Sequence, residues 1–172
     1  MQGHFANTLR DIGIVTLDPP GECQPVLQTS AEEWSPSLSP DGRRLAYTAN
    51  YTGRNEVYVV RYPELDGRVQ VSPGGGHRPQ WPPDGDEITY QMASTGGLPE
   101  SFGRVLVELN DRDPPVIRPG SLELLVPWEF VGEAGGRRYL DVSPDGTRFI
   151  ALQGPGTGRA NREITVVLNW KT

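Results

Sequence analysis

Three stretches decide the fold: PSLSPDGRRLAYT at residues 36–48, PQWPPDGDEITYQ at 79–91 and LDVSPDGTRFIAL at 140–152. Laid on one another they share a turn phrase, carried by Asp41-Gly42, Asp84-Gly85 and Asp145-Gly146. Their apolar positions coincide as well, with Leu38, Trp81 and Val142 before the turn and Leu45, Ile88 and Phe149 after it. A hairpin recurring at a fixed period is the mark of a repeat architecture.

Turn chemistry explains each residue of the phrase. Proline presets φ, aspartate hydrogen-bonds the backbone ahead of it, and glycine takes the positive φ that closes the hairpin. Asp-Gly between alternating apolar runs is therefore read as a hairpin turn. Asp41, Asp84 and Asp145 are assigned to turns in preference to catalysis or metal binding.

Working outward, strand-like runs follow one another with almost no helical periodicity. They fall at 12–17, 25–28, 36–39, 44–49, 56–61, 68–71, 79–81, 87–91, 104–109, 122–127, 139–142, 148–152 and 163–169. The run Glu56-Val57-Tyr58-Val59-Val60 has the β-branched and aromatic content of a strand, and a second Pro-to-Asp-Gly turn follows it at 63–67. Asp41 and Asp84 are 43 residues apart, whereas Asp84 and Asp145 are 61 apart, which places an insertion between the second and third repeats. Four strands per forty-odd residues is the blade of a β-propeller. The expected fold is all-β: three to four four-stranded antiparallel blades over 11–172 in an incomplete ring, preceded by a lead-in at 1–10.

Composition narrows the function. The 21 glycines and 17 prolines of the 172 residues are nearly twice the usual share, as many turns between short strands require. A net charge of −6 argues against a nucleic-acid or anionic-membrane binder, and fifteen scattered arginines with one lysine form no basic patch. Cys23 is the single cysteine, so neither an internal disulfide nor a cysteine zinc cluster is available. No run approaches the roughly 18 apolar residues of a membrane helix. Residues 1–17 lack a signal-peptide apolar core, and strand-like sequence begins at Asp11, consistent with Met1 being an internal start.

The hairpins, followed by NEVYVV and a glycine-rich link, resemble the repeats of TolB-type propellers. The order SPSLSPDGRRLAYTAN, GRNEVYVVRYPELDGRVQVSPGGG, YLDVSPDGTRF and ITVVLNW is most similar to the C-terminal propeller of bacterial membrane-anchored serine/threonine kinases. The resemblance spans about 11–170, weakens over 92–136, and departs from the family at Pro82-Pro83. It implies a sensing module on the extracytoplasmic side of a bacterial membrane. No kinase motif is present: there is no glycine-rich loop with its strand lysine, no HRD-like stretch and no DFG. A second reading is the gating propeller of a prolyl-peptidase-like hydrolase, whose nucleophile elbow this chain lacks. A third is a fragment without independent activity.

Strand alternation sorts the loops. The A–B turns and the C–D turn emerge on one rim of a blade; the B–C loop at 50–55 and the blade-to-blade link at 73–77 emerge on the other. That second rim is expected to carry Glu33, Trp34, Tyr51, Arg54, His77 and Arg78, joined by Trp128, Arg159 and Arg162. Aromatics with arginines suit a protein or peptide partner, against the plainer reading of polar loops with packing aromatics. His4 and His77 have no spaced metal-ligand partner. Asp111-Arg112-Asp113 lacks the further oxygens of a calcium loop. Neither Gly74-Gly75-Gly76 nor the glycines at 154–158 end in Lys-Ser/Thr, so they read as links and not phosphate cradles. Asn50-Tyr51-Thr52 matches a glycosylation sequon, a frequent chance match. Trp81 is expected in the core. No catalytic residue, cofactor or metal is expected; either two chains pair into a six- to eight-bladed ring or the missing blades come from elsewhere.

Overall fold

The computed structural model describes residues 10–83, 85–93, 101–110, 116–127, 140–143, 148–151 and 165–167. Among them every regular element is a strand. β1 (Ile12–Ile14) and β2 (Gln24–Leu27) form a two-stranded sheet. β3 (Glu33–Leu38), β4 (Arg44–Ala49), β5 (Glu56–Arg61) and β6 (Val69–Gln70) form the first complete blade, hydrogen-bonded in chain order. β7 (Gly76–Gln80), β8 (Glu87–Met92), β9 (Ser101–Asn110) and β10 (Val116–Pro127) form the second. β11 (Leu140–Val142), β12 (Phe149–Ala151) and β13 (Thr165–Val167) form a three-stranded sheet. Every pairing is antiparallel, and the described sheets do not close a ring. Much of the longer second interval is taken up by β9 and β10, with 10 and 12 residues.

Side-chain alternation gives the first blade two buried faces. Ala46, Val57, Val59 and Val71 pack against Trp81, Ile88, Tyr90, Val105, Val107 and Ile117 of the second blade. On the opposite face Leu45, Tyr47, Ala49, Tyr58 and Val60 pack with Ile12 and Leu27 of the two-stranded sheet. All six residues of β4 are consequently buried, although two of them are Arg44 and Thr48.

The repeated turn has the expected geometry. Gly42 lies at φ 69° and donates to the Ser39 carbonyl at 2.8 Å; Gly85 lies at φ 84° and donates to the Pro82 carbonyl at 3.1 Å. Asp41 Oδ1 accepts from the Ser39 hydroxyl at 2.5 Å and the Arg43 N–H at 3.0 Å. Burial pulls the Asp41 carboxyl upward, but these bonds and the Arg44 guanidinium outweigh it and hold it below its ordinary value. In the third repeat Ser143 Oγ accepts the Arg148 N–H at 2.9 Å, the same bond that Ser39 Oγ accepts from Arg44 at 2.9 Å. Asp84, Asp145 and Gly146 lie outside the described residues.

Two expectations need correction. Trp81 is buried as expected, but its counterpart Leu38 is 48% exposed. Trp81 reaches back to the first blade, where its Nε1 donates to the Ser37 carbonyl at 3.0 Å and the Arg44 guanidinium lies 4.7 Å from its ring centre. Leu38, paired with Leu45, shares the face on which the described residues offer a sheet of two strands. The first strands also begin earlier than expected, at Glu33 and Gly76. Each contains an irregularity, with register shifting between Trp34 and Ser37 and between His77 and Gln80. Ser35 and Arg78, at matching repeat positions, carry positive φ of 49° and 56°.

Candidate binding face

The irregularity in the first strands builds the face of interest. Trp34 and His77 each stand two residues before the proline of their strand, Pro36 and Pro79, so the repeat places them at equivalent points of adjacent blades. Their rings stack with centroids 5.8 Å apart and planes at 28°. The Arg10 guanidinium lies 5.6 Å from the Trp34 ring centre. Arg78 Nη1 donates to Gln91 Oε1 at 2.9 Å, while its backbone N–H donates across the blade junction to Thr48 Oγ1 at 3.0 Å. Burial pushes the His77 imidazole down to about 4, Arg78 adds to that, and a Gln91 hydrogen bond opposes it. At neutral pH His77 is therefore an uncharged ring stacked on an indole.

Of the nine candidate residues, Trp34, His77 and Arg78 are brought together, on the first residues of strands and not on loops. Glu33 is corrected: it is fully buried and points away from this face, pairing in register with Ala49. Its Oε1 accepts the Tyr51 hydroxyl at 3.0 Å, which ties half-buried Tyr51 to the same interior. The Arg54 head is 59% exposed but its Nε is committed to buried Glu56 at 2.5 Å. Trp128, Arg159 and Arg162 lie outside the described residues. Sequence reasoning missed Arg10, Gln91 and Arg68, whose guanidinium sits 4.2 Å over the Tyr51 ring. Aligning the repeats two residues further upstream pairs Trp34 with His77; no local signal marks the three missed residues.

The face sets two half-buried aromatic rings near two guanidinium groups, a chemistry suited to planar or carboxylate-bearing groups. No group of three or more His, Cys, Asp or Glu among the described residues is placed to hold a metal ion. No helix among them is long and apolar enough to cross a membrane.

No family model matches the chain, and no curated protein matches it significantly. Solved structures do. The putative TolB from Agrobacterium tumefaciens superposes with a TM-score of 0.55 at 17% identity, over 86% of this chain and 49% of that one. An oligogalacturonate lyase, solved in complex with manganese, gives 0.56 at 12% identity, over 87% of this chain and 39% of that one. TolB from Acinetobacter baumannii gives 0.43 at 16% identity, over 86% and 44%. At such identities the likeness is one of fold, and the chain has the TolB-like β-propeller fold. It spans less than half the length of these structures.

Proposed function

We propose that the chain is a non-catalytic binding or sensing module that recognises a protein or peptide through the Trp34–His77 face. The observation that carries this reading is the stacked pair itself. Two blades place an indole and a neutral imidazole at one repeat position, with Arg10 over the first and Arg78 beside the second. Half-buried aromatics flanked by arginine have the composition of an interaction hot spot. The resemblance of the repeats extends the proposal to a larger bacterial sensor or kinase, with this propeller on the extracytoplasmic side. It performs no catalytic step, carries no cofactor, binds no nucleic acid and does not insert in the membrane. The prolyl-peptidase-like reading needs a hydrolase partner domain, and nothing in the described site favours it.

The direct test is a peptide array probed with the chain and with Trp34→Ala, Arg78→Ala and the distant control Gln70→Ala. Peptides captured by the chain and by Gln70→Ala, but about tenfold or more weaker with Trp34→Ala, are the expected result. Equal capture by all four proteins refutes this face.

A further inference from the structure

Two carboxylates are wholly buried in the first blade, and their surroundings differ. Glu56 is matched on both oxygens. Its Oε1 receives Arg54 Nε at 2.5 Å, and its Oε2 receives the Ser72 hydroxyl at 2.8 Å and the Gly75 N–H at 3.2 Å. Glu33 is matched on one. Its Oε1 accepts the hydroxyls of Thr29 and Tyr51, while Oε2 is buried with no hydrogen-bond partner.

Several neighbouring donors are already committed. Thr29 Oγ1 accepts the Ala31 N–H at 3.1 Å, so its hydrogen goes to Glu33 Oε1. The Glu33 N–H goes to the Arg10 carbonyl at 3.0 Å, and the Glu32 N–H to Asn50 Oδ1 at 2.9 Å. Arg68 hydrogen-bonds the hydroxyls of Tyr47 and Tyr51, which lie 3.4 Å apart, and that leaves the Tyr51 hydrogen for Glu33 Oε1. The hydroxyls of Thr29 and Tyr51 set oxygen atoms beside this carboxylate, with the Arg68 guanidinium beyond Tyr51. Removing a carboxylate from water without a matching charge is strongly unfavourable. A buried unsatisfied polar atom in such a setting points to a bound water or ion.

We propose that Glu33 is the charged ligand of a buried monovalent-cation site, for sodium or potassium, with the hydroxyl oxygens of Thr29 and Tyr51 as neutral neighbours. A single carboxylate neutralises one positive charge. Divalent calcium takes six to eight oxygens, typically with several carboxylates, and no such acidic group surrounds Glu33 among the described residues. The cation joins three segments: the β2–β3 link through Thr29, the start of β3 through Glu33, and the β4–β5 loop through Tyr51. It lies one residue from Trp34, so its occupancy stiffens the strand that carries the aromatic stack.

The test is thermal unfolding of the whole chain in sodium, potassium and choline chloride at equal ionic strength, with Glu33→Gln alongside. At about ten times the dissociation constant the small cation raises Tm by about 3–6 °C over choline, and Glu33→Gln abolishes the difference. Equal Tm in all three salts, or a difference that survives in Glu33→Gln, overturns the proposal and leaves a bound water at Oε2. If Glu33→Gln does not fold, the sodium NMR linewidth of the unsubstituted chain decides. Broadening relieved by potassium supports the site, and a linewidth unaffected by the protein overturns it.

Discussion

Gly42 and Gly85 hold the same position in two turns, yet their surroundings separate them. Both have positive φ, so an alanine at either is strained. A Cβ on Gly42 meets nothing within 4 Å, whereas one on Gly85 comes within 3.3 Å of Pro40 in the first turn. Gly42→Ala is expected to cost about 1 kcal/mol and Gly85→Ala more, measured as chemical unfolding midpoints. His77 supplies a second prediction at this scale. Its folded value of about 4 lies below the reference of 6.5, so the unfolded chain binds the proton more readily. Stability from His77 is whole above about pH 6.5 and is lost as pH falls toward 4. Between pH 7 and 5 the loss is about 1 kcal/mol after allowing for the partial exposure of the ring. His77→Gln, which cannot titrate, is expected to flatten that part of the stability curve; an unchanged slope refutes the assignment. The turn residues were legible in the sequence because their chemistry is local. The depressed imidazole was not, because its main cause is burial, which depends on tertiary packing, with the neighbouring Arg78 only adding to it.

Between elements, the junction of the two complete blades depends on one side chain of β4. Arg44 is almost fully buried, donates from Nη1 to the Val107 carbonyl at 2.6 Å and from Nη2 to the Gly85 carbonyl at 3.0 Å, and covers Trp81. Asp41 at 3.2 Å and Asp86 at 3.3 Å balance its charge. Arg44→Met leaves two carbonyls without their donor, and is expected to destabilise by about 2–4 kcal/mol. Arg44→Lys restores less than half of this, since a single ammonium cannot reproduce the planar fork. Unfolding midpoints of the two variants check both statements. At the apolar heart of the same junction, Ile88→Ala is expected to cost about 2–4 kcal/mol. Thirteen strands were expected in the order observed, since alternation and turn residues are local signals. The early start of β3 and β7 was hidden by the proline in each strand. Only the pairing with β4 and β8 shows that an extra residue is absorbed ahead of it.

For the whole molecule, described sheets that do not close a ring raise the question of closure. β1 pairs only with β2 among the described residues, and Ile14, Val15 and Leu17 near it are 46%, 47% and 84% exposed. Apolar surface beside an unpaired strand edge favours association. We propose that two copies complete a ring, with a discrete dimer by light scattering on a sizing column as the expected result; a stable monomer with a single cooperative unfolding transition excludes that assembly. The sequence by itself determined the hairpin phrase, the all-β class, the blade period and the burial of Trp81, because these follow from backbone preferences and alternation within short windows. Tertiary structure alone decided that Leu38 is exposed, that Glu33 lies in the interior, and that Trp34 meets His77. Each of those depends on what the neighbouring sheet presents across the junction, and residues some 40 positions apart in the chain acquire a common environment only when the blades pack.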